Sequence, residues 1–228
     1  DLATMCSGGS ASDAMLIISG STGYVFTLST NTLTAIVDAD FPSHPVMCEF
    51  FAGYFLVLDR NTRSIQWSAL EDPSSWDALD VLETSWAGDN VSFIKRLGTH
   101  IWTVGTQTSQ VLYATGGVEV FAPAQESLIE HGCVARFTGQ RTAQGVVCLD
   151  QGERGVGQVV LFNGLQPNEI STYSINLEQI VSAQGLLNAS YAVALEMEGH
   201  DWFFLNNRNA ENTFRFTPVY DFKEGLWH

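Results

Sequence analysis

Short apolar or alternating runs, separated by turn residues, recur along this chain and restrict the folds open to it. Five pairs of such runs predict β-hairpins. The pairs are Met15–Ile18 with Tyr24–Leu28, Tyr54–Leu58 with Ser64–Leu70, Ile101–Val104 with Gln110–Ala114, Gly145–Leu149 with Gln158–Phe162, and Trp202–Leu205 with Val219–Phe222. Successive pairs begin 39 to 57 residues apart. A repeat of roughly 45 residues with about four strands favours a β-propeller, whereas a two-sheet sandwich needs no fixed period.

A further strand candidate precedes four of these hairpins, and helical patterns are scarce. The candidates are Val46–Phe51, Val91–Ile94, Cys133–Phe137 and Ser190–Leu195, and the best helical segment is Leu177–Leu187. We therefore predict an all-β chain whose residues 1–228 form a single β-propeller domain with blades of about four antiparallel strands. Because the chain begins with Asp1 and stops at Trp227-His228 without a polar tail, we expect it to be part of a longer polypeptide.

The charge of the chain limits its partners. Ten Lys and Arg residues against 25 Asp and Glu residues give a net charge of −15. So few cations cannot hold phosphates by counterion release, which argues against a conventional DNA-binding domain. An acidic surface could repel a specific partner or simply keep the protein in solution. No apolar run approaches the roughly 20 residues that span a bilayer, so we expect no membrane partner.

Residues that carry chemistry are present but form no recognised pattern. The four cysteines, at 6, 48, 133 and 148, include no CxxC pair, and Cys48 and Cys148 stand in apolar runs typical of core positions. The five histidines, at 44, 100, 131, 200 and 228, form no HxH or HExxH motif, and each is expected at a turn or edge, hydrogen-bonded to the backbone. The glycine-rich segment 152–157 joins two strands and lacks the lysine of a phosphate-binding loop. We therefore predict no catalytic residue, metal site or cofactor.

One segment, residues 71–80, concentrates candidate site residues. It carries Trp76, Asp77 and Asp80 in what the Asp-Pro-Ser-Ser run predicts to be a turn-rich loop. Two carboxylates could serve a glycosidase, and the loop could hold calcium or a sugar beside Trp76. It could also be an ordinary capped turn, or an interface for a neighbouring subunit. In contrast, Trp67, Trp102, Trp202 and Phe203 fall on predicted strands and are expected to be buried between blades.

From residue 66 onward, a series of short motifs occurs in one order. The motifs are Gln66-Trp67-Ser68-Ala69-Leu70, Ser75-Trp76-Asp77-x-Leu79-Asp80, Asp89 before Val91–Ile94, Ile101-Trp102-Thr103-Val104-Gly105-x-x-Thr108, Tyr113-x-x-Gly116, Ile129-Glu130-His131-Gly132-Cys133, Asn163-Gly164, Glu169-Ile170-Ser171-Thr172, Gly199-His200-x-x-Phe203-x-Leu205, Tyr220-Asp221 and Leu226-Trp227-His228. This order resembles the packaged-DNA stabilisation proteins of short-tailed bacteriophages, which are tail hub or nozzle subunits. The resemblance covers about residues 66–228.

The resemblance implies a structural virion protein of the phage tail, not an enzyme. Copies would form a homo-oligomeric ring that lines the DNA channel, helps to retain packaged DNA and touches the passing duplex only transiently. Its partners would be the portal adaptor and other tail proteins: needle, spikes or fibres. An acidic lining would let DNA slide, which fits the net charge. Two alternatives stay open: a carbohydrate-binding or glycan-degrading propeller of a tail spike or cell surface, and a cellular propeller scaffold.

Overall fold

A computed structural model describes residues 2–10, 12–84, 88–151, 157–176, 187–207 and 217–228. Within these residues the regular structure consists of twenty short β-strands with two single turns of 3₁₀ helix, Arg136–Thr138 and Leu187–Ala189, and one helical turn at 173–176. The strands are β1 (Thr4–Ser7), β2 (Ala14–Ser19), β3 (Thr22–Thr27), β4 (Thr32–Ala35), β5 (Pro45–Phe51), β6 (Tyr54–Asp59), β7 (Ser64–Ala69), β8 (Asp72–Glu83), β9 (Val91–Leu97), β10 (His100–Gly105), β11 (Ser109–Ala114), β12 (Phe121–Pro123), β13 (Gln140–Arg141), β14 (Val146–Asp150), β15 (Gln158–Asn163), β16 (Gln166–Glu169), β17 (Tyr191–Met197), β18 (His200–Asn206), β19 (Val219–Asp221) and β20 (Leu226–Trp227).

These strands form five sheets of four, and in each sheet the strands follow one another in chain order. The sheets are β1–β4, β5–β8, β9–β12, β13–β16 and β17–β20. A four-stranded antiparallel meander of this kind is the blade of a β-propeller. The predicted all-β fold and its four-stranded blades are thereby confirmed. No helix in the described part of the chain is long and apolar enough to span a membrane.

Tight turns fix the register of the hairpins. Between β17 and β18, Met197 pairs with His200, so the loop is only Glu198-Gly199. Both loop residues have positive φ, 56° and 75°. This is the backbone of the two-residue turns that match the twist of a hairpin, and glycine adopts it without strain. The turn places the imidazole of His200 at the first position of β18.

Two local predictions were wrong. Cys133–Phe137 is not a strand: residues 136–138 form a 3₁₀ turn, stabilised where Thr138 Oγ1 donates to the Ala135 carbonyl at 2.7 Å. The segment 71–80 is not a loop, because residues 72–83 form β8. Two register shifts against β7, around Ser68, let this long strand bend and keep its pairing. The helix candidate Leu177–Leu187 lies outside the described residues, except for Leu187.

The hydrophobic residues form clusters in two compact units. The first unit, Asp1–Thr103 with Val111–Ala124, contains a cluster of the following buried residues: Cys6, Leu16, Ile18, Cys48, Phe55, Val57 and Trp76. The second unit, Val104–Gln110 with Gln125–His228, contains another: Ala135, Val147, Leu149, Val159, Leu161, Ala192, Phe203, Leu205 and Phe222. The predicted burial of Trp67, Trp102 and Phe203 is confirmed. Trp202 is only half-buried, because it lies on the opposite face of β18 from Phe203.

All four cysteines are buried, and none of them forms a disulfide. Burial raises the pKa of Cys148, and a hydrogen bond with its neighbour Cys133 raises it further. A thiol held protonated in this way is a poor nucleophile and a poor metal ligand. The prediction that Cys48 and Cys148 are small core residues is confirmed.

Candidate functional site

Trp76 is part of the core of the first unit. Only 6% of its surface is exposed, and it packs in the cluster built around Phe55. Its indole Nε1 donates to the Pro73 carbonyl at 2.8 Å, and its backbone N–H donates to Asp38 Oδ2 at 3.1 Å. Its ring packs edge-on against that of Phe41, with the ring centroids 4.9 Å apart. The polar and apolar parts of Trp76 are therefore both satisfied within its own chain.

The other residues of the predicted interface are accessible. Asp77 is exposed, and Asp80 is half-buried on the same strand. Burial raises the pKa of Asp80, and the nearby carboxylate of Asp77 raises it further. Leu79 between them is 86% exposed. Ala78 and Val81 on this strand are exposed as well, and we call Asp77, Leu79 and Asp80 the β8 surface.

A side-chain amide holds the β8 surface in place. Gln66 Nε2 donates to two carbonyls, that of Asp40 at 2.7 Å and that of Asp77 at 3.0 Å. The Asp77 carboxylate in turn accepts the backbone N–H of Leu79 at 2.9 Å. Because β8 is the outer strand of its sheet, its charged side chains also discourage pairing with a foreign strand. The acidic character of this edge therefore has a structural explanation before any partner is invoked.

The histidines make side-chain contacts that the sequence did not predict. His131 Nδ1 lies 2.8 Å from Asp150 Oδ2, and His200 Nδ1 lies 2.6 Å from Asp221 Oδ2. His44 and His100 contact the hydroxyls of Ser43 and Thr99. The expectation of backbone partners was wrong at these four positions, because each imidazole has a side-chain oxygen within reach. A sequence pattern could not show the two His–Asp pairs, since their members are 19 and 21 residues apart.

The Asp221 carboxylate is fully buried, so its charge depends on its neighbours. Burial by itself raises the pKa of Asp221. Hydrogen bonds from His200 and from the backbone N–H groups of Lys223 and Glu224, together with the charge of His200, outweigh that effect and lower the pKa of Asp221. Lys223 N–H donates to Oδ1 at 2.8 Å. Asp221 therefore ties the β19–β20 turn to the start of β18 as a carboxylate.

Several of the short motifs meet one another within the second unit. Gly105 accepts the Cys133 N–H at 2.8 Å, so the segments Ile101–Thr108 and Ile129–Cys133 are joined. A Cβ on Gly132 would lie 2.4 Å from the backbone of Thr106 and Gln107, which leaves room only for glycine. Trp227 Nε1 donates to the Ile170 carbonyl at 2.8 Å and joins two further motifs. These residues hold sheets together, and none of these contacts forms a catalytic arrangement.

The two faces of the fifth sheet differ in their burial. Ala192, Phe203 and Leu205 point to the buried cluster of the second unit. On the other face, cross-strand pairing places Val193 opposite Phe204 and Leu195 opposite Trp202. Val193, Leu195 and Met197 are exposed there, with Met197 at 54%. We call the set Val193, Leu195, Met197, Trp202 and Phe204 the outer face of the fifth sheet; the register places His200 and the buried Asp221 at one end of the same face.

The first sheet also has an apolar face that is incompletely covered. Its pairs place Met5 opposite Ile17 and Phe26 opposite Leu33, and Met5 is 62% exposed. The opposite face, with Leu16 and Ile18, is buried. Sheets in propellers pack through apolar side chains on both faces, so an exposed apolar face is a surface that another element can cover.

An open depression in the first unit has the groups expected for polar ligands. Its volume is about 520 Å³, and it is lined by three carboxylates, of Asp13, Glu71 and Asp72, with serine and threonine hydroxyls. Asp13 is already engaged, because its carboxylate accepts the backbone N–H of Ser29 at 2.8 Å. None of the described lining residues is aromatic, so the depression lacks a platform on which a sugar ring could stack.

Comparison with known proteins identifies a family. The family described as "Phage_stabilise: Bacteriophage P22 Gp10, beta-propeller" matches residues 5–227 of the chain. No curated protein matches the chain.

Solved structures show the same fold at low sequence identity. The dihydro-heme d1 dehydrogenase NirN, solved in complex with DHE, is 13% identical, with a TM-score of 0.60, over 99% of this chain and 46% of that one. The N-terminal domain of Nup159 is 9% identical (TM-score 0.51, 96% and 60%), and Hsv2 of Kluyvelomyces marxianus is 7% identical (TM-score 0.53, 98% and 59%). The chain thus spans about half to three fifths of these proteins, and the likeness concerns the fold alone.

Proposed function

The chain belongs to the Bacteriophage P22 Gp10 β-propeller family, and from this membership we propose that it is a subunit of the tail hub, or nozzle, of a short-tailed phage. The match over residues 5–227 is the observation that carries the proposal, since it includes all five sheets. In this role copies form a ring below the portal adaptor, and the ring closes the exit of the DNA channel.

The charge of the chain suits a channel that DNA must leave. A net charge of −15 per copy, repeated around a ring, gives a field that repels phosphates and keeps the duplex from sticking. The strand β8 and the turn before it contribute to this charge, because residues 71–83 contain five carboxylates and no Lys or Arg. Retention of DNA would then come from steric closure of the ring and not from binding.

Attachment of needle, spikes or fibres needs exposed surfaces at defined positions. The β8 surface of Asp77, Leu79 and Asp80 offers one, because its backbone is fixed by Gln66 while its side chains are accessible. Trp76 is buried in the core of the first unit, so we do not expect its indole to contact the partner. A basic or hydroxyl-rich partner segment would complement the two carboxylates.

A role without catalysis agrees with the contacts that the short sequence motifs make in the fold. His131, His200 and Trp227 each bind another part of the same unit, and Gly132 allows two backbones to touch. We propose that the protein acts by assembly.

The incompletely covered faces fit the expectation of a longer polypeptide. The outer face of the fifth sheet and the Met5 face of the first sheet are both apolar, whereas the faces turned to the two clusters are buried. We propose that further strands of the same polypeptide cover them, because a β-sheet face supplies the matching apolar pattern. A second copy of the chain is the alternative occupant.

Loss of the gene product tests the proposed role. Phage heads assembled without the protein should package DNA and then lose it, so nuclease-resistant DNA per particle should fall, and adding the wild-type protein should restore it. Heads that never fill would place the protein in packaging instead. Particles that keep their DNA and their full tail without the protein would contradict the proposal.

A further inference from the structure

The fifth sheet brings three metal-ligating side chains together at one end. His200 begins β18, Asp221 ends β19, and Glu224 lies in the turn before β20. One ligand atom from each lies within 4.8 Å of the other two. We propose that His200, Asp221 and Glu224 bind a divalent transition-metal ion of the Zn²⁺ type, which links the β17–β18 turn to the β19–β20 turn.

The donor set suits such an ion. One imidazole nitrogen with two carboxylate oxygens satisfies Zn²⁺, and the fourth position of a tetrahedral site is left to water. Glu224 is exposed and His200 is partly exposed, so an ion can reach the site from solvent, while the buried Asp221 provides an anchored charge. A bound cation would also be attracted by the two carboxylates, of which Asp221 is held in place by the backbone N–H of Lys223.

Binding requires small movements of His200 and of Glu224, because the three ligand atoms now lie within 4.8 Å of one another and not at the spacing of ligands on one ion. His200 Nδ1 and Asp221 Oδ2 now lie 2.6 Å apart, as a hydrogen-bonded pair. Two ligands on tetrahedral zinc, with bonds of about 2.0–2.1 Å, lie about 3.3 Å apart. The imidazole must therefore lose its Nδ1 proton and move outward by less than about 1 Å. The ring of Trp202 is stacked on the imidazole, with the centroids 5.4 Å apart, so the fluorescence of Trp202 should change when the imidazole moves.

The His131–Asp150 pair provides an internal control. It has the same Nδ1-to-Oδ2 contact, at 2.8 Å. There the third group is an amide donor: Gln158 Nε2 donates to Asp150 Oδ2 at 3.3 Å. In the described part of the chain, only the His200 pair has a carboxylate as its third member. The two pairs therefore differ in the one feature that turns a hydrogen-bonded pair into a ligand set.

Calorimetric titration of the chelator-treated chain with Zn²⁺ tests the proposal. We expect one ion per chain, an affinity at least about tenfold weaker in His200→Gln and in Glu224→Gln, and unchanged binding in His131→Gln and in the neighbouring-turn variant Glu198→Gln. Lys223→Gln should strengthen binding, because the Lys223 ammonium lies beside Gly199 and opposes a cation. Glu224 is an exposed turn residue, so its variant tests the site even if His200→Gln unfolds.

Three results would overturn the proposal. The first is no saturable heat up to about 1 mM Zn²⁺. The second is binding that survives both His200→Gln and Glu224→Gln unchanged, which would place the ion elsewhere. The third is loss of binding in His131→Gln with normal binding in Glu224→Gln. Zn²⁺-dependent change in Trp202 fluorescence, absent in Trp202→Phe, gives a second readout that a purely structural role of His200 would not produce.

Discussion

The inner and outer faces of the fifth sheet carry similar side chains and have different surroundings. Phe203 and Leu205 are fully buried against the cluster of the second unit, whereas Val193, Leu195 and Met197 on the outer face reach solvent. The alternation along β17 and β18 is apolar on both faces, as expected for a sheet covered on both sides. The difference shows that one face stabilises the described unit while the other is available to a further element.

Adjacent phenylalanines on β18 test this difference most strongly. Phe203→Ala should lower the free energy of unfolding by about 3–5 kcal/mol, since a fully buried ring leaves a cavity. Phe204→Ala, one residue along on the outer face, should lower it by about 1–2 kcal/mol, because its ring is already partly in water. Chemical denaturation of both variants measures their free energies of unfolding. Equal losses of stability in the two variants would contradict the difference between the faces.

The same contrast exists on β8 between Trp76 and Leu79. Trp76→Ala should destabilise the isolated chain by about 3–5 kcal/mol, because the indole fills the first unit's cluster. Leu79→Ala should change stability by no more than about 0.5 kcal/mol. Thermal unfolding measures both. If Trp76→Ala leaves the melting temperature unchanged but weakens incorporation into tails, the indole belongs to an interface after all.

Asp221 is a buried carboxylate on the otherwise apolar outer face, and its contribution to stability should depend on pH. Its pKa is lowered in the folded state, so its contribution to stability is present above the unfolded value of about 3.9 and is lost as pH falls below it. Asp221→Asn should therefore be less stable than the wild type at pH 7, and the gap should narrow below about pH 4. Denaturation curves across this range decide; a gap independent of pH would contradict the charged role of Asp221.

A small effect on stability is also expected at Leu195, on the outer face of the fifth sheet. On the chain of 228 residues, Leu195→Glu should change the free energy of unfolding by less than about 1 kcal/mol and reduce binding of apolar dyes. In a longer polypeptide whose strands cover this face, the same change should be strongly destabilising. If the short chain instead associates with itself and Leu195→Glu makes it monomeric, a second copy covers the face.

The sequence predicted the blades well because hairpins are local. The two strands and the turn of a hairpin such as Tyr54–Leu58 with Ser64–Leu70 lie within about 20 residues of one another. The strands β6 and β7 are found where this pattern predicts them. The outer strand β8 was missed because Asp-Pro-Ser-Ser carries turn chemistry, and pairing with β7 outweighs it. Pairing with the preceding strand therefore decides the structure of this segment, and the local turn propensity does not.

The site was less predictable than the fold. The His–Asp pairs join residues about 20 positions apart: the register of the fifth sheet brings Asp221 to His200, and His131 reaches Asp150 from the segment before the fourth sheet. Their sequence signal was present in the motifs Gly199-His200 and Tyr220-Asp221, but nothing in the spacing indicates that the two meet. Trp76 was assigned to a loop because of the Asp-Pro-Ser-Ser run before it, and no local pattern could show its partners Asp38 and Phe41, which lie more than 30 residues away.

Electron microscopy of virions labelled with an antibody against this chain tests the central claim that it is an assembled structural part of the phage tail. The account predicts label at one vertex of each particle, at the tail below the portal. Label that is absent from purified virions, or that is spread over the capsid surface, would contradict it.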